Sequence, residues 1–454
     1  MNASFFGELL QAISERGRAL IGARERRGVD ATRSESLIEL CEHLLSGRGE
    51  ASGVALAREI LLRYAELTTG PRIAFFEALA QRFGSDPARM EQAIAAWRER
   101  PSDETAAEVH AASEPRRQEL FRRLNLAPGG TAALVRMREQ LMEALPHREA
   151  DLGPVDDDFV HLFSSWFNRG FLVLRRIDWS TPAIILEKII RYEAVHEIRD
   201  WEDLRRRIDP PDRRCYAFFH PALIDEPLIF VEVALTREIA GAVGPILATQ
   251  RETLDADKAR TAVFYSISNC QRGLTGVSFG SFLIKQVVEE ISRELPRLST
   301  FVTLSPVPSF TAWLKRERAD ETSVALNTAD KEALAALDDP GWRFNVETVE
   351  QVREPLLRAA AWYFLRARNA RGTPVDPVAR FHLGNGARLE RINWMADDSE
   401  KALAQAYGLM VNYLYDLDEI EKNHEAYAEG RVVVASNAVH RYLRPPLELV
   451  PIAG

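Results

Sequence analysis

Cysteine is scarce in this chain. Cys41, Cys215 and Cys270 are the three, scattered through 454 residues with no C-x-x-C between them. Neither a disulfide framework nor a zinc site of the usual spacing is therefore indicated, and a reducing compartment fits. Basic excess is missing too: the formal net charge is −9, the wrong sign for a general nucleic-acid binder, although a local basic pocket for a phosphate remains compatible with it. No apolar run approaches the roughly 20 residues a membrane-spanning helix needs. The opening M-N-A-S-F-F-G-E-L-L has no basic n-region and reads as an ordinary first helix, and the closing P-I-A-G is no S-K-L signal. No membrane and no nucleic-acid partner are expected, and the cytoplasm is the default. The nine histidines never pair at metal-ligand spacing, so no metal site is expected. The serines include no G-x-S-x-G elbow, which leaves a hydrolase triad unsupported.

Hydrophobic residues make up 46% and charged residues 28% of the chain, the balance of a globular protein, and the length favours two domains. Up to about residue 165 nearly every segment has the 3.6-residue period of a helix. Phe5, Phe6, Leu9, Leu10 and Ile13 form one apolar face. Leu56, Ile60, Tyr64 and Leu67 form another, with Ser52 placed to cap, and Ile73, Phe76, Leu79, Ala80 and Phe83 form a third, closed by Gly84. Leu134, Met137, Leu141 and Leu145 follow the P-G-G-T turn. The acidic stretch 151–158 with Gly153 and Pro154 reads as a linker, and its carboxylates as a solvated turn without EF-hand spacing. Residues 161–174 and 184–192 still read as helices. After Pro210-Pro211 the period changes to strands at 215–220 and 228–235. A charged insertion at 315–339 precedes a helix at 355–366 with Pro355 in its first turn, and strands return at 387–396 and 408–415. The expected fold is a helical domain over 1–165, structural in role as subunit contacts or as a lid over the second domain, followed by a mixed α/β domain over 166–454.

One stretch organises the second domain. Ala262–Ile267 is a buried strand by composition, glycines follow at 273, 276 and 280, and Ile284, Val287, Val288, Ile291 and Leu295 then line one face of a helix that Pro296 stops. Strand, glycine-rich turn and helix can hold a phosphate on the unpaired amides of the first helical turn, or can be simply a tight connection. No Gly-Lys-Ser/Thr closes the turn, and its glycines are not spaced G-x-G-x-x-G. It is similar instead to the pyrophosphate loop of the GNAT acetyltransferase superfamily: Gly276 and Gly280 match, and Ser278 stands where that superfamily usually has glycine. Arg272 or Lys285 could add a charge to a phosphate. A second strand, Phe301–Leu304, runs into Ser305-Pro306. Ser305 is a candidate for chemistry and equally a turn former. His382, beside Gly384-Asn385-Gly386, is a candidate acid–base group and equally an exposed loop-tip residue.

The segments H-L-F-S-S-W-F-N-R-G, E-A-V-H, R-R-C-Y-A-F-F-H, V-A-L-T, F-Y-S-I-S and G-L-T-G-V-S-F-G-S-F-L-I-K resemble the malonyl-CoA decarboxylase family, as do L-S-P-V-P-S-F-T-A-W-L and D-P-V-A-R-F-H-L-G-N-G-A-R-L-E-R-I-N-W-M-A-D. The resemblance runs from about residue 160 to Tyr415. It implies a helical domain followed by a GNAT-like catalytic domain, a homo-oligomer (a tetramer), and conversion of malonyl-CoA to acetyl-CoA and CO2 without an added cofactor. It places the family's serine on Ser305, its histidine on His382 and a tyrosine on Tyr415. The coenzyme-binding loop falls on Thr275, Gly276, Val277, Ser278, Phe279, Gly280 and Ser281. Relatives often carry a glutamate where this chain has Ser278. The chemistry needs no pyridoxal, biotin or metal, since the thioester carbonyl is itself the electron sink; a histidine with a pKa near neutral would supply the proton to carbon. A GNAT acyltransferase and a non-catalytic acyl-CoA-binding regulator are the competing readings.

Overall fold

The computed structural model describes residues 33–46, 50–147, 151–277 and 283–443. The chain divides into two compact units. The first takes the chain up to Leu172, together with His220–Ile224 and the segment that starts at Gln271; the second takes the remainder.

In the first unit the described elements are α-helices and short 3-10 turns, among them Arg33–Leu45, Glu50–Ala65, Thr69–Arg82, Pro87–Glu99, Arg116–Asn125, Gly130–Ala144 and Gly153–Trp166. Their starts are written locally. The Asp86 side chain accepts from the amides of Ala88 and Arg89 just before Pro87, and Ser102 and Thr105 form a reciprocal capping box. The apolar faces at Leu56, Ile60, Tyr64 and Leu67 and at Phe76, Leu79 and Phe83 are buried. Ser52 lies inside the helix rather than at its cap, because the helix already includes Glu50. The acidic stretch is not a linker either: Gly153 opens a helix, Asp156 pairs with Arg138 at 2.8 Å and Asp158 pairs with Arg117. Buried arginines, which the hydrophobic pattern does not reveal, convert an apparent solvated turn into helix. Phe5, Phe6, Leu9, Leu10 and Ile13 lie outside the described residues.

The second unit is built on one mixed sheet. Its strands are β1 (Val173–Ile177), β2 (Arg213–Phe219), β3 (Pro227–Thr236), β4 (Thr261–Asn269), β5 (Thr300–Thr303), β6 (Ser305–Pro306), β7 (Arg388–Asn393) and β8 (Met410–Leu414). They order as β1-β2-β3-β4-β5-β8-β6, with β7 also on β8. Among the described strand pairs only β4–β5 is parallel. A parallel pair needs a crossover, and the Leu283–Glu294 helix supplies it, burying Leu283, Ile284, Val287, Val288 and Ile291. The β3–β4 register shifts between Glu232↔Ser266 and Val233↔Phe264, which leaves Tyr265 as the extra residue of a β-bulge. β8 bridges the end of β5 to β6: Val302 faces Leu414 and Ser305 faces Val411.

Three local readings change. Residues 173 and 174, read as the end of a helix, open β1, an edge strand whose mostly exposed side chains carry no apolar alternation. Pro355 lies inside the Val346–Leu365 helix, which starts earlier because Asn345 accepts from the amide of Thr348. The charged insertion folds into helices Phe310–Ala319 and Thr328–Leu334. Among the described residues no helix is long and apolar enough to cross a membrane, and no group of three or more His, Cys, Asp or Glu is placed to hold a metal.

Candidate active site

Asp376 starts the helix Pro377–Gly384: its carboxylate accepts from the amide of Ala379 at 2.8 Å, and Pro377 takes the first position. Gly386 ends it. There φ is +80°, and a Cβ would lie 2.0 Å from the carbonyl oxygen of Ile420, so only glycine fits. His382 sits in the last turn and is 2% exposed. It is therefore a core residue of a helix, not an exposed loop tip. Ser305 is a buried member of β6 rather than a plain chain reversal. Tyr415 directly follows β8, its amide donating to the carbonyl of Phe301 at 2.8 Å.

These elements bring the three residues into one chain of hydrogen bonds. His382 Nε2 lies 3.1 Å from Ser305 Oγ, and Nδ1 lies 2.8 Å from the Tyr415 hydroxyl. Ser305 Oγ also lies 2.8 Å from Thr303 Oγ1. The imidazole stacks on Tyr413 with centroids 4.5 Å apart and meets Phe381 edge-on, so its plane is fixed. Burial pushes the imidazole down to about 3, because removing water penalises the charged form. A resting imidazolium with a near-neutral pKa is thus replaced by a neutral ring whose two nitrogens both face hydroxyls. Each hydroxyl can donate or accept, so either tautomer is satisfied.

A cavity of about 250 Å³ opens on this chain. Ser305 and His382 line it, with Asn269 and Tyr265 as its other polar residues; the rest is apolar, led by Val195, Phe264, Ile267 and Phe381, with no lysine or arginine among the described lining residues. A larger hollow, about 680 Å³, lies by Asp212, Arg213 and Arg251. Its buried charges hold one another, Arg251 gripping Asp212 at 2.5 and 2.9 Å while Arg213 donates to backbone carbonyls. That is a structural ion cluster, and the smaller cavity is the one that carries reactive groups.

Of the loop residues, Thr275, Gly276 and Val277 are described. Gly276 adopts φ +81°, and Gly273 packs so closely that a Cβ would meet the carbonyl oxygen of Val135 at 2.0 Å. Arg138 secures the segment by donating to the carbonyls of Gly273 and Thr275 at 2.9 and 2.7 Å. The Thr275 hydroxyl turns back to the carbonyl of Arg272, and Val277 is buried. Ser278, Phe279, Gly280 and Ser281 lie outside the described residues. The cations offered for a phosphate have acidic neighbours: Arg272 sits 3.6 Å from Glu139 and from Glu143, and Lys285 sits 2.8 Å from Glu421.

Sequence reading missed Thr303, Tyr413, Tyr265 and Asn269. Thr303 stands two residues before Ser305, and Tyr413 two before Tyr415; strand alternation puts such pairs on one side. The β-bulge that sets Tyr265 left no trace in the letters.

Comparison with known proteins now adds to this geometry. The family model of the malonyl-CoA decarboxylase C-terminal domain matches residues 170–450, and that of the N-terminal domain matches 83–167. The chain is 35% identical over 460 residues to mitochondrial malonyl-CoA decarboxylase of Anser anser anser, covering 93% of this chain and 91% of the relative. It is 34% identical over 457 residues to that of Mus musculus, covering 93% and 92%. Among solved structures, malonyl-CoA decarboxylase from Rhodopseudomonas palustris superposes with a TM-score of 0.88 at 58% identity, over 90% of this chain and all 100% of the other. The enzyme from Agrobacterium vitis gives 0.86 at 56% identity, with coverage of 90% and 100%. On the extent of these matches, the chain belongs to the malonyl-CoA decarboxylase family.

Proposed function

We propose that the protein is a carboxy-lyase that converts malonyl-CoA to acetyl-CoA and CO2, with Ser305, His382 and Tyr415 as its catalytic residues. The observation that carries this is the buried chain Ser305–His382–Tyr415 facing a largely apolar cavity. Cleavage of the C–CO2 bond sends its electron pair into the thioester carbonyl, giving an enolate that must be protonated at carbon. A carboxylate carried into an apolar pocket loses hydration, whereas CO2 is neutral and loses little, so the pocket favours release. The hydroxyl of Ser305, which lines the cavity, would donate to the developing negative charge. The carbon takes its proton from the Ser305–His382 end of the chain. Because His382 rests neutral, that proton leaves a hydroxyl or a neutral ring N–H, and the Tyr415 hydroxyl replaces it through Nδ1. Solvent then restores Tyr415.

The coenzyme would lie on the loop Thr275–Ser281. Supporting this are the left-handed Gly276 and the anchoring of the segment by Arg138, which hold a backbone turn open for an anion. We further propose a cytoplasmic homo-oligomer whose helical region, 1–165, mediates self-association; the three cysteines are buried and unpaired, as suits a reducing compartment, and light scattering of the full chain tests the assembly. The site assignment is tested by His382→Asn and Ser305→Ala, assayed with malonyl-CoA alone. Each should lose turnover by roughly 10² or more while still binding substrate. The double variant should lose far less than the product of the two effects, because both act on one transition state. Variants that melt lower but keep the specific activity of their folded fraction would remove both residues from the mechanism.

A further inference from the structure

Thr303 is 0% exposed and closes β5. Between the pairs Val302↔Leu414 and Ser305↔Val411, side-chain hydrogen bonds tie Thr303 to β8. Asn412 Nδ2 donates to the Thr303 carbonyl at 2.7 Å, and the amide of Tyr413 donates to Thr303 Oγ1 at 3.1 Å. An amide N–H can only donate, so one lone pair of Oγ1 is committed. The second lone pair of that hydroxyl accepts from Ser305 Oγ at 2.8 Å. Ser305 therefore stands between two partners: it donates to Thr303 Oγ1 on one side and shares a hydrogen bond with His382 Nε2 on the other, whose direction follows the tautomer. The Thr303 bond directs the Ser305 hydrogen away from Nε2, which leaves Ser305 able to accept from the ring. Valine has nearly the shape of threonine and would place no hydroxyl in a dry strand.

We propose that Thr303 is a positioning residue for the decarboxylation, its hydroxyl setting the direction of the Ser305 O–H while the amide of Tyr413 holds it still. The proposal rests on Ser305 acting in the reaction. With Thr303 in place, Ser305 keeps a partner whichever way the His382 tautomer lies. Without it, Ser305 has only His382, and its hydrogen cannot turn away from Nε2 without losing its bond.

The test is steady-state turnover of malonyl-CoA, without acceptor, by the full chain carrying Thr303→Val, Thr303→Ser or Thr303→Cys, with Ser305→Ala in parallel. Thr303→Val should lower kcat per folded molecule by about tenfold or more and leave KM within about twofold, the pattern of a lost transition-state interaction. Thr303→Ser, which keeps the hydroxyl, should stay within about threefold of the parent. Val also leaves the Tyr413 amide unpaired and lowers stability; if it does not fold, Thr303→Cys, with a weak thiol in the same volume, should show the kcat loss. A folded Val or Cys variant with parental kcat, or a Ser variant as slow as Val, overturns the proposal. If Ser305→Ala is inactive and the Thr303 variants are not, only this inference fails; if Ser305→Ala keeps full turnover, the assignment of the site itself fails.

Discussion

His382 fixes the character of the site through what it lacks: burial with no opposite charge keeps its imidazole neutral, pushed down to about 3. Two outcomes follow at this scale. The kcat–pH profile should show no loss of rate above about pH 6.5 from this histidine, the alkaline limb that a general acid required in protonated form and of ordinary pKa would give. The second concerns stability. The folded value lies below the ordinary 6.5, so the unfolded chain binds the extra proton between the two. The contribution is fully present above pH 6.5 and is lost as pH falls toward 3. Denaturant midpoints at pH 7, 5 and 4 should thus fall less steeply in His382→Asn than in the parent. Equal slopes would mean that the ring is protonated, or exposed, in the folded state. Asp376 carries the opposite sign: burial pushes its carboxyl up to about 6, and its stabilising protonation is lost as pH rises through that value.

At the scale of elements, the helix Pro377–Gly384 exists to deliver His382, and its two ends are the places to break it. Gly386→Ala places a Cβ on the carbonyl of Ile420 at a positive φ, and should destabilise the protein by more than about 1 kcal/mol and reduce turnover; thermal melting with the acceptor-free assay checks both. Asp376→Asn should be tolerated, because an amide oxygen still accepts from Ala379, whereas Asp376→Ala should cost about 1 kcal/mol as a lost cap. At the loop, Gly276→Ala forces a side chain into φ +81° and should weaken acetyl-CoA binding measured by calorimetry; parental affinity would move the coenzyme elsewhere. The contrast between these elements explains what the sequence made legible. The Leu283–Glu294 helix was readable because a single buried face leaves a clean period, and strands β3, β4 and β5 because burial on both faces leaves continuous β-branched and aromatic runs. The segment around His382 was not, because F-H-L-G-N-G-A is too short and too rich in turn residues to show a helix, and only Asp376 and Gly386 together define its ends. Residues 151–158 misled for another reason: Arg117 and Arg138 are distant in sequence from the acids they neutralise. Ser305 and His382 were legible as candidates through the family motifs, while their direct contact, and the role of Thr303 beside it, exist only in three dimensions.

For the whole molecule, a net charge of −9 and a cavity without a lysine or arginine among its described lining residues suit the proposed chemistry, run by a neutral hydrogen-bond chain. No second substrate enters that scheme. The most direct measurement is therefore to incubate the purified full-length protein with malonyl-CoA alone in D2O and follow products by mass spectrometry. The account predicts CO2 and acetyl-CoA in equal amounts, with one solvent deuterium in each acetyl methyl group, and loss of that turnover in His382→Asn. Malonyl-CoA left intact until an amine acceptor is added, or bound without turnover, would contradict it.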